Sequence, residues 1–147
     1  MLFISHRGNI NGPNHKEENK IDYILNALNE MYEVEVDLWF KNNKFYLGHD
    51  EPQFEISIDF FEKKKIWIHA KNLECYYELN KFNLNFFWHE NDKVIFTSKG
   101  YIWNYPGTLL SENSICVLPE QNNVKDINCL GICSDYIKDY YDRYNNI

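Results

Sequence analysis

Arginine is nearly absent. Only Arg7 and Arg143 stand among 15 basic residues, against 22 acidic ones, for a formal net charge of −7. A surface of that sign repels a polyanion, so binding of nucleic acid by charge is excluded. Proline (4) and glycine (6) are also scarce in the 147 residues. No Pro/Gly/Ser-rich linker divides the chain, and a single domain over 1–147 is expected. Apolar runs are short and interrupted, well below the ~20 residues of a membrane span, so no transmembrane segment is expected. The start, MLFISHRGN, carries neither a basic leader nor a long apolar stretch. The four cysteines (Cys75, Cys116, Cys129, Cys133) contain no CxxC pair. Together these features predict reduced thiols and a cytoplasmic location. What the chain does have is bulk: 44% apolar and 17% aromatic residues, enough to build a core and to exclude wholesale disorder.

The pattern along the chain is of short strands early separated by helices. Strand candidates are 2–6, 33–39, 66–70, 85–89, 93–97, 101–104, 114–118 and 131–134, with 45–50 as an ancillary strand after a KNNK turn. Ile21, Ile24, Leu25, Leu28 and Met31 recur at helical spacing. Segments 57–65 and 73–82 also read as helices, and the polar, aromatic tail as a helical turn or two. Strands alternating with helices argue for parallel βα units. The later strands are separated by spans too short for full crossover helices.

Polar residues fall in a telling place. In YEVEVDLWF (32–40), Val34, Val36 and Leu38 share one face, opposite Glu33, Glu35, Asp37 and Trp39. In IWIHAKN (66–72), Ile66, Ile68 and Ala70 oppose Trp67, His69 and Lys71. A half-exposed antiparallel strand whose polar face meets water gives the same alternation. Four of the five histidines tilt the balance, because His6, His49, His69 and His89 each end an apolar or aromatic segment. Parallel strands bring such ends to one face, where α/β proteins build sites. His15, in a polar loop, lacks that context and is expected to face solvent.

Glu35 and Asp37, roughly 6–7 Å apart at their Cα atoms, are able to converge on one cation. Two carboxylates with water suit Mg²⁺ or Ca²⁺, while His69 as a third ligand shifts the choice toward Mn²⁺ or Zn²⁺. A dication beside Arg7 and Lys71 makes a site for an anion, most simply a phosphate. His6 and His49 on either side supply groups that titrate near neutrality and can serve as acid and base. The combination points to phosphoryl transfer.

These motifs resemble a known family. HRG at 6–8, EN at 18–19, EVD at 35–37 and GHD at 48–50 follow, in order and spacing, the signature of glycerophosphodiester phosphodiesterases. IHAK at 68–71 sits where a strand ending in ExK is expected, and GICSDY at 131–136 resembles the closing strand. The resemblance implies a (β/α)8 barrel and metal-dependent hydrolysis of a glycerophosphodiester or a lysophospholipid head group. It implies His6 and His49 as the general acid/base pair, Glu35 and Asp37 as metal carboxylates, Arg7 as the phosphate contact and Glu18 as an acidic neighbour of the metal. A substrate hydroxyl then attacks phosphorus to give a cyclic phosphate that is opened afterwards. The chain departs from the family in three respects: Glu17 replaces a proline, His69 replaces a glutamate, and the length is short of the ~250 residues typical of the barrel. The alternatives are a reduced module that only binds phosphorylated ligands, and a phosphodiesterase acting on another phosphodiester or a lyase that stops at the cyclic product.

At about 18 residues per βα unit the expectation is a compressed (β/α)8 barrel with several outer helices missing. Bare outer faces at Ile95, Ile102, Ile115 or Val117 would then favour self-association, most simply a homodimer. Trp39, Trp88, Trp103 and Glu120 are candidates to line the pocket, and Asp135 to cap or orient backbone at its mouth.

Overall fold

The computed structural model describes residues 1–146. Thirteen regular elements follow along the chain: β1 (Leu2–His6), α1 (Ile21–Asn29), β2 (Glu33–Lys41), β3 (Lys44–Leu47), β4 (Phe54–Ile56), β5 (Ile66–Ala70), α2 (Leu73–Leu79), β6 (Asn85–Phe87), β7 (Val94–Phe96), β8 (Ile102–Asn104), β9 (Ser114–Val117), β10 (Gly131–Ser134) and α3 (Ile137–Asn145). The KNNK turn joins β2 and β3 as a two-residue hairpin. Asn42 and Asn43 both take positive φ, 51° and 60°, the conformation that matches strand twist and that asparagine tolerates. Segment 57–65 gives no α-helix. It holds a single 3-10 turn at Ile58–Phe61, whose first turn Ser57 caps by accepting from the Asp59 N–H.

The compressed (β/α)8 barrel is not what these elements build. They form one mixed, curled ten-stranded sheet with only three α-helices. Parallel neighbours run β6-β5-β2-β1-β10-β9-β8. β7 pairs antiparallel on β8, and β3 and β4 extend the far end of β2 antiparallel. Short connections are the reason. Residues 97–101 between β7 and β8 cannot cross over the sheet and must reverse it. The two free edges do not ladder. They meet at Ser98, whose N–H donates to the Phe86 carbonyl (2.8 Å) and whose Oγ accepts from the Phe86 N–H (3.0 Å).

Strand alternation divides the core in two. Val34, Val36, Leu38, Ile66, Ile68 and Ala70 face outward with Ile24 and Ala27 of α1, Cys75 and Leu79 of α2, and Ile137 and Tyr140 of α3. The concave face carries Ile4, Trp67, Phe87, Trp103, Ile115, Val117 and Cys133. Trp103 sits 4.7 Å from Phe87 and 5.7 Å from Trp67, ring centroid to centroid, and each such buried ring contributes on the order of 2–3 kcal/mol of transfer free energy. Ile95, Ile115 and Val117, expected on bare outer faces, are instead buried on this inner face. Strand parity, which sequence alone could not fix for such short segments, puts Val94 and Phe96 outside. Three of the four residues named for a bare outer face are thus inside, while Ile102 is half-buried. No helix among the described residues is long and apolar enough to cross a membrane.

Candidate active site

The first strand ends in a turn that no ordinary residue pair would adopt. Arg7 has φ 55° and Gly8 φ 90°, and a Cβ on Gly8 would lie 2.7 Å from Tyr23 Cδ1. The Arg7 N–H still donates to the Glu35 carbonyl at 2.9 Å, so the turn stays tied to β2. The arginine side chain folds back over the sheet, with Nε 2.9 Å from Asp37 Oδ2 as an ion pair and Nη1 donating to Glu18 Oε2 at 3.3 Å. Asn19 clamps the same aspartate. Its Nδ2 donates to Asp37 Oδ2 at 3.0 Å, and its Oδ1 accepts from the Asp37 N–H at 2.9 Å. A backbone held in the left-handed region at Arg7 and Asn19 marks strain at a site.

Glu35, Asp37 and His69 come together because β2 and β5 are parallel neighbours with Asp37 in register with His69. Each offers a ligand atom within 4.8 Å of the others. His69 Nδ1 lies 3.2 Å from Asp37 Oδ1 and 4.0 Å from Glu35 Oε1. Glu35 Oε2 and Asp37 Oδ1 are buried and accept no hydrogen bond among the described residues, a costly state for carboxylate oxygens. Burial, reinforced by the charge of Asp37, pushes Glu35 up to about 7. Burial pulls Asp37 the same way, but the His69 ring, Arg7 and Lys71 (Nζ 3.6 Å away) outweigh it and hold Asp37 well below the usual carboxylate range. Burial lowers His69 despite the nearby aspartate, which keeps its imidazole neutral, the form that binds metal. The ring stacks with both Phe87 (5.0 Å) and His89 (4.9 Å), which are themselves 6.3 Å apart. His89, pushed down to about 4 by its burial and by His69 and Lys71, is neutral as well.

His6 is held from behind. Its Nδ1 lies 2.7 Å from Asp135 Oδ1, leaving Nε2 3.8 Å from Glu35 Oε2. Burial alone would lower His6, but the bond to Asp135 and the charge of Glu35 raise it above its ordinary value. Asp135 is correspondingly lowered, the bond from His6 overcoming its own burial. An ionised carboxylate only accepts, so His6 Nδ1 carries the proton in this pair. Asn9 Nδ2 bridges Asp135 (2.8 Å) and Glu18 (2.9 Å). On the other side, His49 follows β3 on a turn that Gly48 ties down. The Gly48 N–H donates to the Asp37 carbonyl (3.1 Å), and its own carbonyl accepts from Trp39 Nε1 (2.7 Å). His49 is the most open of the group, 41% exposed, with Nδ1 2.8 Å from Asp50 Oδ1.

His6, Arg7, Glu35, His49, His69 and Lys71 line one cavity of about 260 Å³, together with His89, Trp103 and Tyr105. Seven of the eight residues singled out from sequence thus meet: these six line it, and Asp37 lies beneath it. Glu18, expected as an acidic neighbour of the metal and not as a ligand, lies outside the three-residue cluster and anchors Arg7, which pairs with Asp37, and Asn9. His15 is exposed as expected, its Nδ1 3.2 Å from Glu18. Trp39 and Glu120 turn away from the pocket to hold backbone, whereas Trp103 is buried in the cavity wall. Sequence reasoning missed Asp135 as the partner of His6 and missed Asn9 altogether, and it gave Asn19, part of the EN motif, no role of its own. Only the register of β1 on β10, Ser5 opposite Ser134, brings Asp135 beside His6, and no spacing rule encodes it. No family model, curated protein or solved structure matches this chain.

Proposed function

We propose that this cavity hydrolyses a phosphodiester, with a glycerophosphodiester as the substrate class, in a divalent-metal-dependent reaction. The observation that carries the reading is the meeting of three things at one 260 Å³ cavity: two buried carboxylates with orphaned oxygens, Glu35 in its wall and Asp37 behind it, two cations, and two imidazoles. The donor set fits a dication. Glu35, Asp37 and the neutral His69 would hold it, and the positive charge would relieve the crowding of two buried carboxylates whose inner oxygens accept no hydrogen bond of good geometry. Mg²⁺ or Ca²⁺ suits the carboxylates, and His69 admits Mn²⁺ or Zn²⁺. When bound, such an ion supplies Lewis-acid polarisation of a phosphoryl oxygen.

Arg7 and Lys71 hold the phosphate at the cavity wall, the arginine through its planar fork. His6, which Asp135 and Glu35 raise above its ordinary value against the pull of burial, presents Nε2 to the cavity and gives its proton to the departing alcohol. His49, on the open side, takes the proton from the attacking substrate hydroxyl; in the second stage the roles reverse, the now neutral His6 taking a proton from water while His49 returns its proton to the oxygen that leaves phosphorus. A neighbouring hydroxyl on the substrate makes a cyclic phosphate the product of the first stage. We assign the chain to a reducing, cytoplasmic setting, in keeping with four free thiols. The resemblance of the HRG, EVD and GHD motifs to glycerophosphodiester phosphodiesterases supports the same reading.

The test is turnover of glycerophosphocholine and of a chromogenic phosphodiester in the presence of Mg²⁺, Ca²⁺, Mn²⁺ or Zn²⁺. Activity with at least one metal, lost in His6→Ala and in His49→Ala, is the expected result. Phosphate-ligand binding without turnover under all four metals would instead identify a binding module, and accumulation of the cyclic product a lyase.

A further inference from the structure

The strand that precedes β10 in the sheet, β9, ends in a strained turn. Leu118 takes φ 46° and ψ 49°, a left-handed conformation rare for a bulky residue and tolerated where surrounding contacts over-determine it. Here those contacts are the Leu118 N–H donating to the Cys133 carbonyl at 2.7 Å and the rigid ring of Pro119 that follows. The turn carries Glu120 beneath the end of the neighbouring strand. There one oxygen, Oε1, accepts from Ser134 Oγ at 2.9 Å and from the Asp135 N–H at 3.1 Å. Ser134 Oγ in turn accepts from the Tyr136 N–H at 2.9 Å. The backbone on both sides of Asp135 is therefore pinned by a single carboxylate, and Asp135 is the group that fixes His6.

We propose that Glu120 is a positioning residue, acting through the backbone of Asp135 to fix the orientation of the His6 imidazole. The proposal deepens the hydrolase reading and rests on it for its kinetic arm. Glu120 touches neither the cavity nor the groups that would hold a metal. Its effect reaches the site along one path: Glu120 Oε1 to the Asp135 N–H, then Asp135 Oδ1 to His6 Nδ1. Displacing a catalytic group by about 1 Å can cost on the order of 100-fold in rate, and the half-buried Glu120 carboxylate, two contacts away, is placed to govern such a displacement.

The experiment compares the wild type with Glu120→Ala and Glu120→Gln in the full chain. Two readouts are taken: the low-field proton resonance of His6 Nδ1–H in ¹⁵N-histidine-labelled protein, and kcat and KM for the chromogenic phosphodiester. The expected outcome is that Glu120→Ala loses or shifts that resonance and loses kcat by about tenfold or more, with KM within about twofold. Glu120→Gln, which keeps an oxygen able to accept both bonds, retains the resonance and most of kcat. Resonance and kcat unchanged in Glu120→Ala would overturn the proposal, whatever happens to stability. So would a Glu120→Gln variant as impaired as the alanine in both readouts. Where Glu120→Ala does not fold, Ser134→Ala removes one of the two contacts and carries the same comparison. Absence of turnover in the wild type would sink the hydrolase reading, and the resonance alone would then decide the role of Glu120.

Discussion

Glu35→Gln and Asp37→Asn should change the stability of the metal-free protein in opposite directions, although the two residues are two apart on one strand face. Glu35 is buried and held up to about 7, against an ordinary value of 4.5. The folded state therefore binds a proton that the unfolded chain releases between pH 4.5 and about 7, and stability falls as pH rises through that window. At 1.36 kcal/mol per unit, the ionised side chain costs on the order of 3 kcal/mol at pH 8 and under ~1 kcal/mol at pH 5. Replacing it with a neutral isostere should recover most of that cost. Asp37 lies on the other side of the balance. It is depressed by His69, Arg7 and Lys71 and clamped twice by Asn19. Its contribution is present above the ordinary aspartate range, and neutralising it leaves Arg7 partly buried without its 2.9 Å partner, a loss of roughly 3–5 kcal/mol. The assay is urea unfolding in EDTA at pH 5 and pH 8. Glu35→Gln should exceed the wild type by a margin that grows from under ~1 to about 3 kcal/mol across that range, whereas Asp37→Asn should lie below it at both pH values. A Glu35→Gln variant that is less stable than the wild type at pH 8 would refute the reasoning and make the carboxylate a structural anchor.

Added dication should raise the melting temperature of the wild type at pH 8 and leave that of Glu35→Gln and Asp37→Asn nearly unmoved, read by thermal unfolding across a metal titration. His69→Glu, which places a third carboxylate beside two buried ones, should lose stability in EDTA at pH 8 and shift metal preference toward Mg²⁺ or Ca²⁺, checked by competition between those ions and Zn²⁺. Gly48→Ala should displace the His49 turn. With φ 150° and an added Cβ only 2.1 Å from the Glu51 carbonyl oxygen, the loop must move, and turnover should fall at least about tenfold for a stability loss of only about 1–2 kcal/mol. Equal losses of activity and of sheet stability would instead place the strain in the core.

The sequence by itself determined which faces are polar and which residue types end the strands. Alternation in 33–39 and 66–70 required Glu35, Asp37 and His69 to oppose Val34, Val36 and Ile68, because successive side chains on a strand point to opposite faces. The segment ends carrying His6, His49 and His69 were legible for the same local reason, and so was the asparagine hairpin at 42–43. What only the tertiary structure decided depends on contacts distant in the chain. Strand direction was one such matter: β7 runs antiparallel because five residues cannot cross a sheet, and this turned an expected barrel into a curled mixed sheet. Face assignment was another, since Ile95, Ile115 and Val117 belong to the inner core once the curl is set. The pairing of His6 with Asp135, across 129 positions of sequence, exists because β1 and the last strand are hydrogen-bonded in one particular register. Local periodicity carries no information about register between distant strands, which is fixed by the packing of both faces at once.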